Sequence, residues 1–283
     1  MYKADQNSSI IGTETGFTGF LMPKFLNGTM FSTVMNSLDA DTINIGTWGF
    51  QDPIFCSPLL NFTSCYLKPD GHETYEGAEW LYTWFVPQDQ AALVTTLGGP
   101  EEFVRRLDFF HESGLLYIGD EQGFLPVYQY HYAGRPGKSS ARRHFYIPSQ
   151  FNDTLVGIPG NDDSGAMGSF LALSMLGLFP NPGQDVYLIT PPFFEEWSIR
   201  NKVTDKVATV ININFDASYE NIYIQNATLN GQPYTKNWIS HSFFLNGGVL
   251  ELTLGKNESS WGTRDEDLPP SLSTSNKTAY YKW

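Results

Sequence analysis

The chain has 283 residues, 41% of them hydrophobic and 17% charged, which is enough apolar material for one large core or two smaller ones. Its formal charge of −13 repels phosphate backbones and argues against a nucleic-acid partner. No run approaches the ~18 consecutive apolar residues of a membrane-spanning helix.

Residues 1–75 are punctuated by Gly, Pro, Asn and Ser, and their periodicity is weak. Met1-Tyr2-Lys3-Ala4-Asp5 is not followed by the apolar stretch of a signal peptide. Sequons nevertheless begin at Asn7, Asn27, Asn61, Asn152, Asn226, Asn257 and Asn276, a density that suggests an oxidising secretory route. A secreted-looking body with no leader leads us to expect a missing N-terminal part; the other reading is a cytosolic protein whose sequons go unused. Cys56 and Cys65 read either as a short-range disulfide or as two unrelated thiols, and the sequons tilt the balance toward the disulfide.

From about residue 76 to 180 the pattern turns helical. Residues 101–113 place Phe103, Leu107 and Phe110 on one stripe, with Glu101 and Glu102 in the first turn, His111 near the end and Pro100 just before the start. A second helix is expected over Gly165–Leu178. It is apolar nearly all round, which predicts burial on all sides, and Gly177 and Pro180 end it. After Pro182 the segments Val186–Ile189, Val207–Ile213, Ile222–Gln225 and Val249–Leu254 read as strands, with a turn at Asn230-Gly231. The tail from Trp261 reads as a polar surface strap. Helices followed by strands predict an α+β chain with segregated layers. The boundary falls near residue 183, with a helical part over 1–183 and a β-rich module over 184–283.

Three acidic clusters are candidates for chemistry. In Tyr75-Glu76-Gly77-Ala78-Glu79-Trp80 a carboxyl sits among aromatic rings, which desolvate it, raise its pKa and suit it to general-acid work; the plainer reading is a helix-flanking acid facing water. Gly119-Asp120-Glu121-Gln122 offers oxygen ligands to a hard cation. In Gly160-Asn161-Asp162-Asp163-Ser164-Gly165 one acid or the serine is enough to cap the following helix, and the second carboxylate is in excess of that need. The five histidines and two cysteines have no zinc-binding spacing, and there is no Gly-x-Ser-x-Gly elbow or phosphate-binding loop. His131 and Arg135 read as structural groups that can also line a polar pocket.

At these residues the chain resembles glycoside hydrolase family 92. The resemblance rests on Gly157–Met167, on Tyr75–Asp89, and on Gly119–Gln122 together with Tyr130–Pro136, three blocks in the family's order. Family members are inverting, calcium-dependent exo-α-mannosidases, so the resemblance implies hydrolysis of terminal mannose on high-mannose N-glycans, most readily at α-1,2 linkages. It implies Glu76 as general acid and Asp163 as general base, with Asp162 beside it. It also implies substrate contacts from Trp80, Glu121 and Gln122, and calcium near Glu121, Asn161 and Asp163. The fold it implies is the later helices of an (α/α)6 toroid, followed by the β-rich module. Departures at Ala78-Glu79, Gln88 and Asp120 bear on fine substrate preference. The family's N-terminal β-sandwich and earlier toroid helices are expected to be missing from this chain, and the sandwich is the expected partner. The competing expectations are a non-catalytic mannose-binding or structural fragment and a carboxylate-pair glycosidase with another sugar preference.

Overall fold

The computed structural model describes residues 79–275. Two compact units divide them, one containing the described residues up to Val86 and Ala92–Gly123, the other Pro87–Ala91 and the chain from Phe124 onward. The elements are mixed α and β, helices first.

The first unit is helical. It contains α1 (Glu79–Tyr82), most of α2 (Gln90–Thr96), α3 (Pro100–Glu112) and the 3-10 turn η1 (Glu121–Gly123). The expected stripe is realised on α3, where Phe103, Leu107, Phe110 and His111 are buried. Phe103 meets the fully enclosed Trp84 edge-on at 5.4 Å, and Phe110 lies 5.7 Å from the same ring. A buried Trp with two aromatic neighbours contributes a few kcal/mol, mostly through apolar area removed from water. Pro100 at the helix start leaves no orphan amide, and Glu101 and Glu102 lie at the positive end of the dipole.

The second unit continues with α4 (Phe124–Tyr128), a 3-10 turn η2 (Gln129–Ala133), α5 (Pro136–Gln150) and α6 (Ala166–Met175). Two stacked ring pairs hold these together, Phe124 on Phe170 at 4.0 Å and Tyr128 on Phe179 at 4.3 Å. The helix expected over Gly165–Leu178 is shorter and less enclosed than its composition predicts. Only Met167, Phe170 and Ser174 are buried, whereas Gly168, Ser169 and Ala172 are exposed. Gly177, at φ 75°, turns the chain out of the helix, and Leu178–Pro180 become strand β1.

Two sheets follow. The first is β1–β2–β7, with β2 at Tyr187–Ile189 and β7 at Trp238–Ile239. The second has the order β3–β4–β8–β5–β6. Its strands are β3 (Glu196–Arg200), β4 (Val207–Ile213), β5 (Tyr223–Leu229), β6 (Gln232–Pro233) and β8 (Gly248–Gly255), and a short helix α7 (Ser242–Asn246) precedes β8. Alternation along β4 and β8 sends Ala208, Val210, Leu250, Leu252 and Leu254 inward, where they meet Trp197, Ile224 and Phe243. Asn230 and Gly231 have φ of 53° and 75°, the left-handed pair that a tight hairpin between β5 and β6 requires. The β4–β8 pairing is parallel and has no local sequence signal.

The strap from Trp261 is set into the unit rather than laid over it. The Trp261 indole donates to the Tyr234 carbonyl at 2.9 Å, and the Ser271 hydroxyl accepts from the Ala91 amide at 3.1 Å. Buried Asp267 accepts from Arg264 Nε at 2.8 Å and from Thr235 Oγ1 at 2.5 Å. Its polar composition is thus used for internal hydrogen bonds.

Candidate active site

Helix α6 and the loop before it present the acidic pair. The chain leaves α5 at Phe151 and makes a closed turn, with the Asn152 amide donating to the Gly157 carbonyl at 3.0 Å and that of Gly157 to Thr154 at 3.1 Å. It then runs through Asn161, Asp162 and Asp163, all exposed, into α6. The two carboxylates do different things. The Asp162 carbonyl accepts from the Ala166 amide at 2.7 Å, and its Oδ1 accepts from the Gly168 amide at 3.0 Å. Gly165 holds the N-cap position without a side chain, and Asp162, three residues earlier, satisfies a first-turn amide in its place, with its carboxyl group at the positive end of the helix. Asp163 has no hydrogen-bond partner among the described residues. It sits at φ 33°, followed by Ser164 at 64° and Gly165 at 87°. Left-handed non-glycine backbone of this kind costs about 1–3 kcal/mol per residue, and it turns the acid out of the helix line.

The other end of α6 is held by Arg143, a residue that no sequence pattern marks. It is completely buried on α5. Its Nη1 donates to the Ser174 carbonyl at 2.7 Å and its Nη2 to His144 Nε2 at 2.6 Å, while the guanidinium lies 4.5 Å over the Phe193 ring. Burial pulls its pKa down to about 10, partly opposed by Tyr128 and Tyr219. The Tyr128 hydroxyl donates to Ser174 Oγ at 2.7 Å, and burial pushes that phenol up to about 12. A cation on the last carbonyls of a helix also complements its dipole. Asp162 and Arg143 thus hold α6 at opposite ends and fix the loop bearing Asp163. We expect Asp162→Ala to lower stability by ~1 kcal/mol in urea denaturation. Asp163→Asn leaves stability unchanged, because Asn tolerates the left-handed backbone as well as Asp does; equal losses would contradict this division of labour.

In the first unit, α1, which carries the backbone of Trp80, packs on η1, which carries Glu121 and Gln122. Gln122 Nε2 donates to the Tyr82 hydroxyl at 3.4 Å, and Glu121 Oε1 and Gln122 Oε1 are closed off from solvent. Gly123 permits the turn: a Cβ there would lie 2.9 Å from the Tyr117 carbonyl oxygen. The structure therefore gathers the predicted residues into two groups. Trp80, Glu121 and Gln122 belong to one unit, and Asn161, Asp162 and Asp163 to the other. Glu76, Cys56 and Cys65 lie outside the described residues.

Asn161 and Asp163 offer oxygens of the kind calcium prefers, but calcium takes six to eight ligands. Among the described residues no three His, Cys, Asp or Glu side chains gather as a metal site. His131 is structural. It is fully buried, with Nε2 at 2.9 Å from the Ile189 carbonyl and Nδ1 at 2.9 Å from Ser139 Oγ and 3.0 Å from the Tyr128 carbonyl. Arg135 is exposed. No described helix is long and apolar enough to cross a membrane.

The family model of the glycosyl hydrolase family 92 catalytic domain matches residues 1–256. A curated relative from Arthroderma benhamiae, named an uncharacterized secreted glycosidase, is 57% identical over 272 residues, covering 96% of this chain and 33% of the relative. Among solved structures, a family GH92 α-mannosidase from Bacteroides thetaiotaomicron aligns at a TM-score of 0.66 with 25% identity, over 72% of this chain and 28% of that one. A family GH92 inverting mannosidase from the same organism aligns at 0.62 with 26% identity, over 72% and 31%. The chain thus spans about a third of the length of the curated relative.

Proposed function

The chain belongs to glycosyl hydrolase family 92, and from that premise we propose that it supplies the acid and base of an inverting exo-α-mannosidase acting on high-mannose N-glycan ends, with preference for α-1,2 linkages. The observation that carries the reading is the split between neighbouring carboxylates: Asp162 is engaged by a first-turn amide of the helix, while Asp163 is exposed and has no described partner. A carboxyl group with open lone pairs suits the removal of a proton from water. Glu76, in a segment dense with aromatic residues, is the matching acid. Inversion asks for ~6.5–9.5 Å between the two carboxyl groups, so that a water fits opposite the leaving group. Trp80, Glu121 and Gln122 take the sugar side of the site. The helices are, in this reading, the later part of an (α/α)6 toroid, and secretion accounts for the sequons.

Calcium belongs to the same proposal. Glu121, Asn161 and Asp163 are its expected oxygen donors, and the ion would supply charge against the sugar hydroxyls. The test follows hydrolysis of an α-1,2-mannobiose by proton NMR in the presence of calcium. β-Mannose is the expected first product and turnover disappears with a chelator; α-mannose as first product, or turnover indifferent to chelation, overturns the reading.

A second reading is a non-catalytic protein that binds mannose without turnover. Calorimetric binding of mannose with no mannobiose cleavage is the result that selects it.

A further inference from the structure

We infer that Asn226 carries an N-linked oligosaccharide, and that this sugar lies over the outer face of the five-stranded sheet. The inference rests on the secretory route proposed above and is independent of the carboxylate roles.

Ile224 points into the core, so simple alternation along β5 would send Asn226 inward as well. The β5–β8 register is broken between Ile224 and Asn226 by a bulge. Gln225 and Asn226 consequently both face outward, and the next inward residue is Ala227. A bulge that adds one residue re-aims the side chain at that position. Here it re-aims the asparagine of Asn226-Ala227-Thr228, an intact Asn-x-Thr acceptor sequence. Gln225 holds the bulge, donating from Nε2 to the Asn257 carbonyl at 2.8 Å and to the Tyr223 carbonyl at 3.1 Å.

Asparagine chemistry elsewhere sharpens the contrast. Asn181, Asn212 and Asn237 lie outside sequons and are buried, and their amide nitrogens donate to carbonyl or phenol oxygens. Asn152, Asn226 and Asn257, the described sequon asparagines, are all exposed. None of the three donates from its amide nitrogen to a described residue. In the attachment reaction that nitrogen bonds to C1 of a lipid-linked oligosaccharide diphosphate. The C1–O bond to the diphosphate breaks, the lipid diphosphate leaves with the bonding pair, and the amide gives up one proton. A side chain facing water accommodates the product; a buried one does not.

The position of Asn226 also matters. Asn226 pairs with Thr253, and Thr253 pairs with Ile213 on the far side of β8. The same outer face exposes Val207, Ile213 and Val249 at 37%, 41% and 38%. A flexible sugar rooted on this row hydrates and shields a strip of apolar side chains that otherwise invites association.

The test secretes the chain from a eukaryotic host and maps glycosylated peptides after enzymatic release in heavy water, which converts each occupied Asn to labelled Asp. Label at Asn226 is expected. Asn226→Gln and Thr228→Val should each lose one glycan, and Thr228→Ser should keep it. Native deglycosylation should increase self-association in sedimentation velocity. Unlabelled Asn226 beside a labelled Asn152 or Asn257 overturns the site; the absence of label at every sequon overturns it together with the secretory route. Unchanged association after deglycosylation overturns the shielding role.

Discussion

Stability is expected to fall steeply as the pH drops from about 6.5 to 4, before most carboxylates titrate. Two histidines drive this, His131 fully buried and His144 half-buried. Burial holds the His131 pKa down to about 4 against an ordinary value of 6.5, even though the Ile189 and Tyr128 carbonyls favour its charged form. Burial, then the adjacent Arg143 cation, depresses His144 further still. In the unfolded chain both rings take up a proton near pH 6.5, whereas in the folded chain they remain neutral. The unfolded state therefore binds more protons below that pH, and each group removes about 1.4 kcal/mol of stability per pH unit. For His131 the window closes near pH 4 after a loss of roughly 3 kcal/mol, a large share of the ~5–15 kcal/mol typical of a folded domain. Urea midpoints measured from pH 7 to pH 4 test this. A midpoint that stays flat to pH 4.5 would contradict it. His131→Asn should start lower, having lost ring packing, but should show a shallower slope.

These two histidines also mark where sequence reading stops. His131 follows Tyr128-Gln129-Tyr130, a segment whose composition suggests packing, and packing is what it does. What no pattern shows is that its ring joins the η2 turn to strand β2 through Ile189. Arg143 is harder still, because a charged residue inside a helix reads by default as solvated. Its burial depends on Ser174 and Phe193 arriving from other parts of the chain, with His144 beside it on the same helix. Helix α3 was legible because its signal is local, a stripe of period 3.6 with a proline at one end. The Asn230-Gly231 turn was legible because only small or left-handed-tolerant residues close such a hairpin. Helix α6 misled because composition reports how apolar a helix is and not how many neighbours surround it. The bulge at Gln225 and the parallel β4–β8 pairing belong to tertiary assembly and leave no periodic trace. At the acidic loop the sequence showed one carboxylate too many for a cap. Which of the two serves the helix amide was decided by backbone geometry, through the left-handed run from Asp163 to Gly165.

Loss of Asp163 and loss of Glu76 should differ in kind, and the difference is measurable with two substrates. A mannose leaving group is a poor anion and needs a proton as the glycosidic bond breaks. A dinitrophenol leaves without one. If Glu76 donates that proton, Glu76→Gln should lose ~10³-fold in kcat on mannobiose, within the 10²–10⁴-fold span of general-acid catalysis, and retain most turnover on the dinitrophenyl mannoside. If Asp163 activates the water, Asp163→Asn should lose a similar factor on both substrates, because each reaction needs the nucleophile whatever the leaving group. Asp163→Asn strands no described partner and Asn accepts φ 33°, and measuring it at saturating calcium keeps a weakened oxygen donor from counting as loss of the base. Asp162→Asn retains an oxygen for the Gly168 amide and should keep most activity on both substrates, with its loss expressed mainly in stability. Reversed sensitivities would exchange the roles of Glu76 and Asp163, and full activity of Asp163→Asn would remove it from the chemistry altogether.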